Sequence, residues 1–136
     1  MRLINRDTDY AAKALIFIAG NNGRVATVSG MAKELNIPNP FLRKILQILN
    51  RNGLLKSFKG KGGGFTLAKP PEDIFLIDLI RIFHGDVSLN DCVFNRDICP
   101  DIKTCVLKKK IAGIERHVIN ELKGISIASL AGDAGK

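Results

Sequence analysis

Three cysteines lie close together in one short acidic stretch, Cys92, Cys99 and Cys105, with six and then five residues between them. No other cysteine occurs in the chain. Thiolates are the preferred ligands of iron–sulfur clusters and also bind zinc, and both kinds of site usually take four ligands. The thiols therefore predict a metal site that needs one more ligand from elsewhere. Two alternatives stay open: a zinc site, although paired Cys-x-x-Cys knuckles are absent, and three ordinary loop cysteines.

The length and composition of the chain indicate one compact domain with an appendage. Its 136 residues are 46% hydrophobic, which is enough for a buried core. No apolar run is long enough for a membrane span, and we identify no signal peptide at the N-terminus. An odd number of cysteines without export signals argues against a disulfide framework. We therefore expect a cytoplasmic protein in a reducing compartment.

The positive charge of the chain is concentrated in one interval. The formal net charge is +8, and no acidic residue occurs between Glu34 and Glu72. Such a block predicts a partner with a phosphate backbone. The alternative is a solvated basic face. The cations of this basic block are Arg43, Lys44, Arg51, Lys56, Lys59, Lys61 and Lys69.

The basic block contains the pattern of a helix-turn-helix, at residues 28–51. A first helix, at residues 9–19 with Thr8 as its N-cap, precedes it. Ser29 is predicted to cap a short helix that ends at Asn36 in a left-handed conformation. Asn39 is then predicted to cap a second helix, with Pro40 at its first position. This helix buries four apolar residues and ends before Gly53. Its other faces predict the DNA contacts Asn39, Arg43, Lys44, Gln47 and Arg51.

A glycine-rich hairpin follows and is the predicted wing, at residues 54–69. Two strand-like segments, 54–58 and 64–68, are joined by Lys-Gly-Lys-Gly-Gly. A phosphate-binding nucleotide loop would need a helix after the glycines, so we reject that interpretation. The lysines and bare backbone of a wing can approach DNA. We predict contacts from Ser57, Lys59, Gly60 and Lys61.

The C-terminal half combines a buried helix, the cysteine loop and a long amphipathic helix. Residues 74–83 are almost continuously apolar and predict a helix packed on the first one, ending at Gly85. The long helix has an apolar seam that is typical of helix pairing. We predict dimerisation there; the alternative is one more helix packed on its own domain. The seam contains Leu107, Ile111, Ile114, Val118 and Leu122.

These elements predict a mainly α fold with a small β-hairpin: a winged helix-turn-helix DNA-binding domain with a long C-terminal dimerisation helix. The predicted parts are the DNA-binding domain at 1–85, the cysteine loop at 86–105, the dimerisation helix at 104–124 and a flexible tail at 125–136. A two-fold dimer of this kind predicts a palindromic operator in double-stranded DNA. No acid–base constellation can be argued from the residue positions, so we do not expect an enzyme.

Five segments carry a family resemblance: Met1-Arg2-Leu3, Thr8-Asp9-Tyr10-Ala11, Gly53-Leu54-Leu55-Lys56-Ser57, the wing from Lys59 to Leu67, and Lys69-Pro70-Pro71-Glu72. Together with the three cysteines, they resemble the Rrf-type bacterial transcription regulators, which include IscR, NsrR and RirA. The resemblance covers residues 1–125, and the wing with the cysteine triplet is its most specific part. It implies a homodimeric DNA-binding regulator whose promoter affinity is set by an iron–sulfur cluster.

The resemblance also bears on the fourth ligand. IscR-like members carry a histidine three residues after the last cysteine, where this chain has Lys108. NsrR-like members use an aspartate of the partner subunit in a Thr-Asp-Leu/Tyr-Ala context, which Asp9 matches. The implied ligands are therefore Asp9 and the three cysteines, around a four-iron–four-sulfur cluster or, alternatively, a two-iron–two-sulfur cluster. The other role open to Asp9 is that of a carboxylate favoured by the helix dipole. His84 and His117 are interpreted as a helix-end residue and a surface residue.

The function implied by this resemblance is that of a repressor whose cluster senses nitric oxide, redox state or iron–sulfur status, which is closest to the NsrR-like branch. Two alternatives remain at this point. One is a cluster-free family member regulated by protein contacts, and the other is a DNA-binding protein with a zinc-bound structural loop.

Overall fold

The computed structural model describes residues 3–87 and 106–134. Within them the chain is mainly helical, with one two-stranded antiparallel sheet, and none of the described helices is long and apolar enough to cross a membrane. The cysteine segment lies outside the described residues. The elements are α1 (Arg6–Ala19), α2 (Val28–Leu35), α3 (Asn39–Arg51), β1 (Leu55–Phe58), β2 (Gly64–Leu67), a short 3-10 helix (Pro71–Asp73), α4 (Leu76–Phe83), α5 (Val106–Lys123) and α6 (Ile127–Ala134).

Helix α1 begins three residues earlier than the sequence predicted, because its N-cap is Asn5 and not Thr8. The Asn5 Oδ1 atom accepts hydrogen bonds from the backbone N–H of Thr8 at 2.8 Å and from its hydroxyl at 2.7 Å. Thr8 is fully buried, and its hydroxyl is satisfied by this bond. The Asn5 amide also donates to the Phe83 carbonyl at 3.0 Å, which ties the start of α1 to the end of α4.

Helices α2 and α3 form the predicted helix-turn-helix. Thr27, not Ser29, caps α2, because its hydroxyl accepts the N–H of Gly30 at 3.0 Å. Asn36 ends α2 with φ of 56°, the left-handed conformation predicted for it. The N-cap of α3 is Pro38, so Asn39 is its first helical residue and was wrongly predicted as the cap. The turn between the helices covers only residues 36–38, and Pro38 and Pro40 stand at the start of α3, where proline is tolerated.

The wing is fixed to the helix-turn-helix by a third backbone segment. Strands β1 and β2 pair from Leu55 opposite Leu67 to Phe58 opposite Gly64. Ala26, just before α2, exchanges two 2.9 Å hydrogen bonds with Phe65 of β2. Gly64 makes this approach possible, since a Cβ atom there would clash with the Ala26 carbonyl. The wing is therefore hydrogen-bonded to the segment that leads into α2.

The core is formed by α1, α2, α3, α4, α6 and the wing. Its largest fully buried side chains are those of Leu15, Met31, Leu42, Leu46, Leu49, Ile74, Leu79 and Ile127. Helix α4 packs on α1, as predicted. A second, smaller cluster joins α4 to the C-terminal end of α5 through Ile77, Ile80, Val87 and Leu122. Helix α4 therefore contributes to both clusters.

The prediction of a flexible tail at 125–136 is wrong over most of that range, because Ile127–Ala134 forms helix α6. Ile127 is fully buried in the main core, and Leu130 packs against that core. The backbone is also tied down: Ile127 donates to the Ile74 carbonyl at 2.8 Å, and Leu76 donates to the Ile125 carbonyl at 2.9 Å. The DNA-binding domain predicted at 1–85 therefore includes α6 in its core.

Candidate nucleic-acid interface

Helix α3 has one buried face and one exposed polar face. Leu42, Ile45, Leu46 and Leu49 are buried, whereas the side chains predicted to contact DNA lie largely on the surface. Arg43, Lys44, Gln47 and Arg51 are exposed, and Asn39 is half-buried. An amphipathic helix that shows cations and amides in this way has the chemistry needed to read DNA from the major groove.

A groove of about 590 Å³ separates α3 from the wing. It brings together five of the residues predicted from sequence: Arg43, Gln47, Ser57, Lys59 and Gly60. The other four predicted DNA contacts, Asn39, Lys44, Arg51 and Lys61, are not among the residues that line it. Sequence reasoning missed three polar lining residues, Thr27, Ser29 and Asn50. Asn50 was detectable, because it follows Arg43 and Gln47 at helical spacing.

The charged side chains that line this groove, Arg43 and Lys59, are both cations. All seven cations of the basic block are exposed, on α3, the wing and the segment that follows it. Gly60 and Gly62 at the wing tip adopt φ of 92° and 78°, which glycine adopts without strain. Both glycines are exposed, and a Cβ atom at either position would meet open space. Exposed cations beside bare backbone suit the approach of phosphate groups.

The candidate metal ligands are only partly within the described residues. Cys92, Cys99 and Cys105 lie outside them, and the described residues hold no group of three His, Cys, Asp or Glu that could bind a metal ion. Asp9 is described, and its carboxylate is about half exposed. His84 is exposed at the end of α4, and His117 lies on the surface of α5, 4.0 Å from Glu121.

The Asp9 carboxylate has a partner within its own helix. Lys13 Nζ lies 2.8 Å from Asp9 Oδ2. The hydrogen bond from Lys13 to Asp9, and then the negative charge of Asp9, raise the pKa of Lys13 above its usual value of 10.5. If Asp9 were a cluster ligand, its carboxylate would therefore have to give up its contact with Lys13.

The apolar seam predicted on α5 is divided between two surroundings. Leu122 is buried and Val118 packs beside it, both in the cluster with α4. Toward the other end of the helix Leu107 and Ile114 are 59% and 52% exposed, and Val106 is 68% exposed. One end of α5 thus covers its own domain, and the other leaves large apolar side chains on the surface of the described chain.

The fold and the basic surface define a winged helix-turn-helix DNA-binding protein. The sequence pattern of the Rrf2 family, described as iron-dependent transcriptional regulators, matches residues 4–133. The chain therefore belongs to the Rrf2 family and is a DNA-binding transcription regulator; the family is one of regulators, not enzymes. This chain is 31% identical over 123 residues to the HTH-type transcriptional regulator NsrR of Bacillus subtilis, and the match covers 89% of this chain and 78% of that protein.

Solved structures share this fold over nearly the whole chain. The global cysteine regulator CymR of B. subtilis matches with a TM-score of 0.77 and 23% identity, over 97% of this chain and 98% of that one. IscR of T. potens matches with a TM-score of 0.73 and 24% identity, over 96% of this chain and 87% of that one. At these identities the likeness concerns the fold alone.

Proposed function

We propose that this protein is a homodimeric repressor that binds a palindromic operator, with its affinity for that operator controlled by an iron–sulfur cluster. One observation carries the DNA-binding part. Neither α3 nor the wing contains a carboxylate, and six cations are exposed on these two elements: Arg43, Lys44, Arg51, Lys56, Lys59 and Lys61. A surface of one sign, on a helix shaped for the major groove, matches duplex DNA.

Each side chain on this surface has a distinct role in the proposed complex. Arg43 and Gln47 lie where α3 meets the groove, and we assign them to base edges, since both side chains can make paired hydrogen bonds to bases. Lys59 and Lys61 lie at the wing and are assigned to phosphates. The Ser57 hydroxyl lines the same groove and can donate to a phosphate oxygen.

The proposed dimer uses the exposed end of α5. Val106, Leu107 and Ile114 are large apolar side chains on the surface, and a second copy of the helix would remove them from water. Ile114→Glu should therefore give a monomer in sedimentation analysis. Asn120→Glu places the same charge at an exposed polar position of α5 and should leave the dimer intact. A wild-type protein that is monomeric at micromolar concentration would contradict this part of the proposal.

The proposed cluster ligands are Cys92, Cys99 and Cys105, with Asp9 of the partner subunit as the fourth. Support comes from the iron-dependent family to which the chain belongs and from the NsrR relative. The structure adds that the Asp9 carboxylate is half exposed, so a group outside its own subunit can reach it. When bound, such a cluster supplies a redox-sensitive and gas-reactive iron site. Nitric oxide, redox state or iron–sulfur status would be the signal.

A cluster-free regulator is the second candidate, because the fold also matches CymR, whose described role is cysteine regulation. A zinc-bound cysteine loop is the third. Anaerobic purification separates them. A visible absorption band with iron and sulfide in equal amounts supports the cluster. A colourless protein with zinc, or with no metal, would overturn the cluster proposal while leaving DNA binding to be measured separately.

A further inference from the structure

The two long sides of α3 differ in chemistry. Arg43, Gln47 and Asn50 follow one another at spacings of four and three and line the groove toward the wing. Phe41, Lys44 and Ile48 follow at spacings of three and four on the other side. This second side faces the start of α1, since the guanidinium carbon of Arg6 lies 4.9 Å from the centre of the Phe41 ring.

Phe41 is unusual for a side chain of this helix. The residue is 46% exposed, whereas the apolar residues that anchor α3 in the core are at most 2% exposed. The core therefore does not account for an aromatic residue at this position. It lies in the first turn of α3, and the N-terminal residues of a recognition helix are the ones that contact base edges.

We infer that Phe41 reads a thymine in the major groove through the C5-methyl group, with Arg6 as its positioning residue. This inference rests on the proposed DNA binding. Thymine alone among the four unmodified bases presents a methyl group in the major groove, and apolar side chains including phenylalanine contact it. Phe41 is half exposed and lies beside cations. In the complex, the thymine methyl group would be the apolar partner of the ring, and the adjacent DNA backbone would be the charged partner of the cations.

Arg6 prepares the ring for this contact. A guanidinium over the face of an aromatic ring is attracted by it, so the ring is held in one orientation before DNA arrives. Fewer side-chain rotamers are then lost on binding. Arg6 is also exposed, and it adds a cation on this side of α3.

The test removes the methyl group and nothing else. Wild-type protein first selects its operator from a random duplex library, and each thymine of that operator is then replaced in turn by uracil. Each half-site should contain one thymine, related by symmetry to its counterpart, whose replacement by uracil lowers wild-type affinity about fourfold. This is the effect expected for the loss of one buried methyl group. The Phe41→Ala variant should bind the thymine and uracil duplexes equally, and Arg6→Gln should show a smaller difference than wild type. Weak binders are measured at low salt, where phosphate contacts are stronger.

The matched control is Phe58→Ala on the wing, where the ring is 47% exposed. This variant should keep the fourfold thymine effect whatever happens to its overall affinity. Wild type that is insensitive to every uracil, or Phe41→Ala that retains the full effect, would overturn the inference. So would a Phe41→Ala protein that has become monomeric, because Phe41 would then serve a protein contact. If wild type selects no sequence at all, the proposed function fails instead.

Discussion

Lys13 Nζ lies 2.8 Å from Oδ2 of Asp9, one helical turn earlier on α1. Both side chains are about half exposed, at 53% and 46%. The acid precedes the base by four residues, which is the favourable order in a helix. The carboxylate that we propose as a cluster ligand is thus held by a lysine in the isolated chain, and a partner subunit must compete with that lysine for it.

Breaking this pair should cost little stability. We expect Lys13→Gln to lower the free energy of unfolding by about 0.3–0.5 kcal/mol, the usual value for an exposed helical pair. Asp9 raises the pKa of Lys13, so the contribution is fully present below 10.5 and is lost as pH rises through the raised pKa. Urea unfolding of both proteins at neutral pH and again well above 10.5 measures this. A difference that grows in alkali would contradict the assignment.

Asp9 is expected to act across the dimer. In a dimer that pairs an Asp9→Ala chain with a Cys92→Ala chain, ligation in trans places both lesions at one site and leaves the other site intact. One wild-type-like cluster per dimer should then survive, counted by visible absorption and iron content. If Asp9 acts within its own chain, each site carries one lesion and no wild-type-like cluster remains. Lys13→Gln is the control, since it alters the surroundings of Asp9 but keeps the carboxylate.

Arg43 should set sequence preference. Arg43→Ala is expected to weaken binding to the operator by about 1–3 kcal/mol and to relax the preference at one base pair. The same substitution at exposed Arg116, on α5, removes an equal charge from an element outside α3 and the wing, and it should leave that preference unchanged. Competition assays with single-base operator variants measure both effects. An equal loss on operator and random DNA would mean that Arg43 contacts only phosphate.

The wing lysines should act without regard to sequence. Lys59→Ala or Lys61→Ala should weaken binding to any duplex and reduce the slope of log affinity against log salt concentration by about 0.9 for each phosphate that is no longer neutralised. Filter-binding or fluorescence titrations across a salt series give the slope. A variant with unchanged slope would mean that the substituted lysine does not neutralise a phosphate.

Gly64 should tolerate no side chain. Its Cβ would clash with the Ala26 carbonyl, so Gly64→Ala must displace the wing from α2 and should destabilise the protein by about 1–3 kcal/mol. Gly132→Ala is the matched control, because Gly132 lies within helix α6 and a Cβ atom there would meet open space. That change should stabilise the fold by about 0.5–1 kcal/mol. Thermal unfolding of both variants tests the contrast.

Local chemistry was enough to predict the helix-turn-helix and the wing. Asn36 is left-handed as expected, and each strand begins and ends within a residue of its predicted bounds. The starts of α1 and α2 were misplaced because several neighbouring side chains could each accept an N-cap hydrogen bond. The choice of Asn5 depends on its second bond, to the Phe83 carbonyl, and a contact so distant in sequence leaves no local signal.

Helix α6 and the groove could not be predicted for the same reason. The segment after Ser126 is rich in small residues, and its helix depends on Ile127 entering a core made by distant elements. Thr27 and Ser29 line the groove because Ala26 pairs with Phe65, which is a tertiary contact. Arg43, Gln47, Ser57 and Lys59 were predicted because they occur in two adjacent elements with a fixed connection. The cysteine ligands stay a prediction.

Because α6 completes the core, the order of synthesis has a consequence for regulation. Helix α3, the wing and the cysteines all leave the ribosome before Ile127 does. A nascent or prematurely terminated chain that lacks α6 would leave the core beside α1 open to water. Such a chain should be degraded before it folds into a stable DNA-binding fragment. The cell would thereby be spared a truncated product that carries α3 and the wing on an incomplete core.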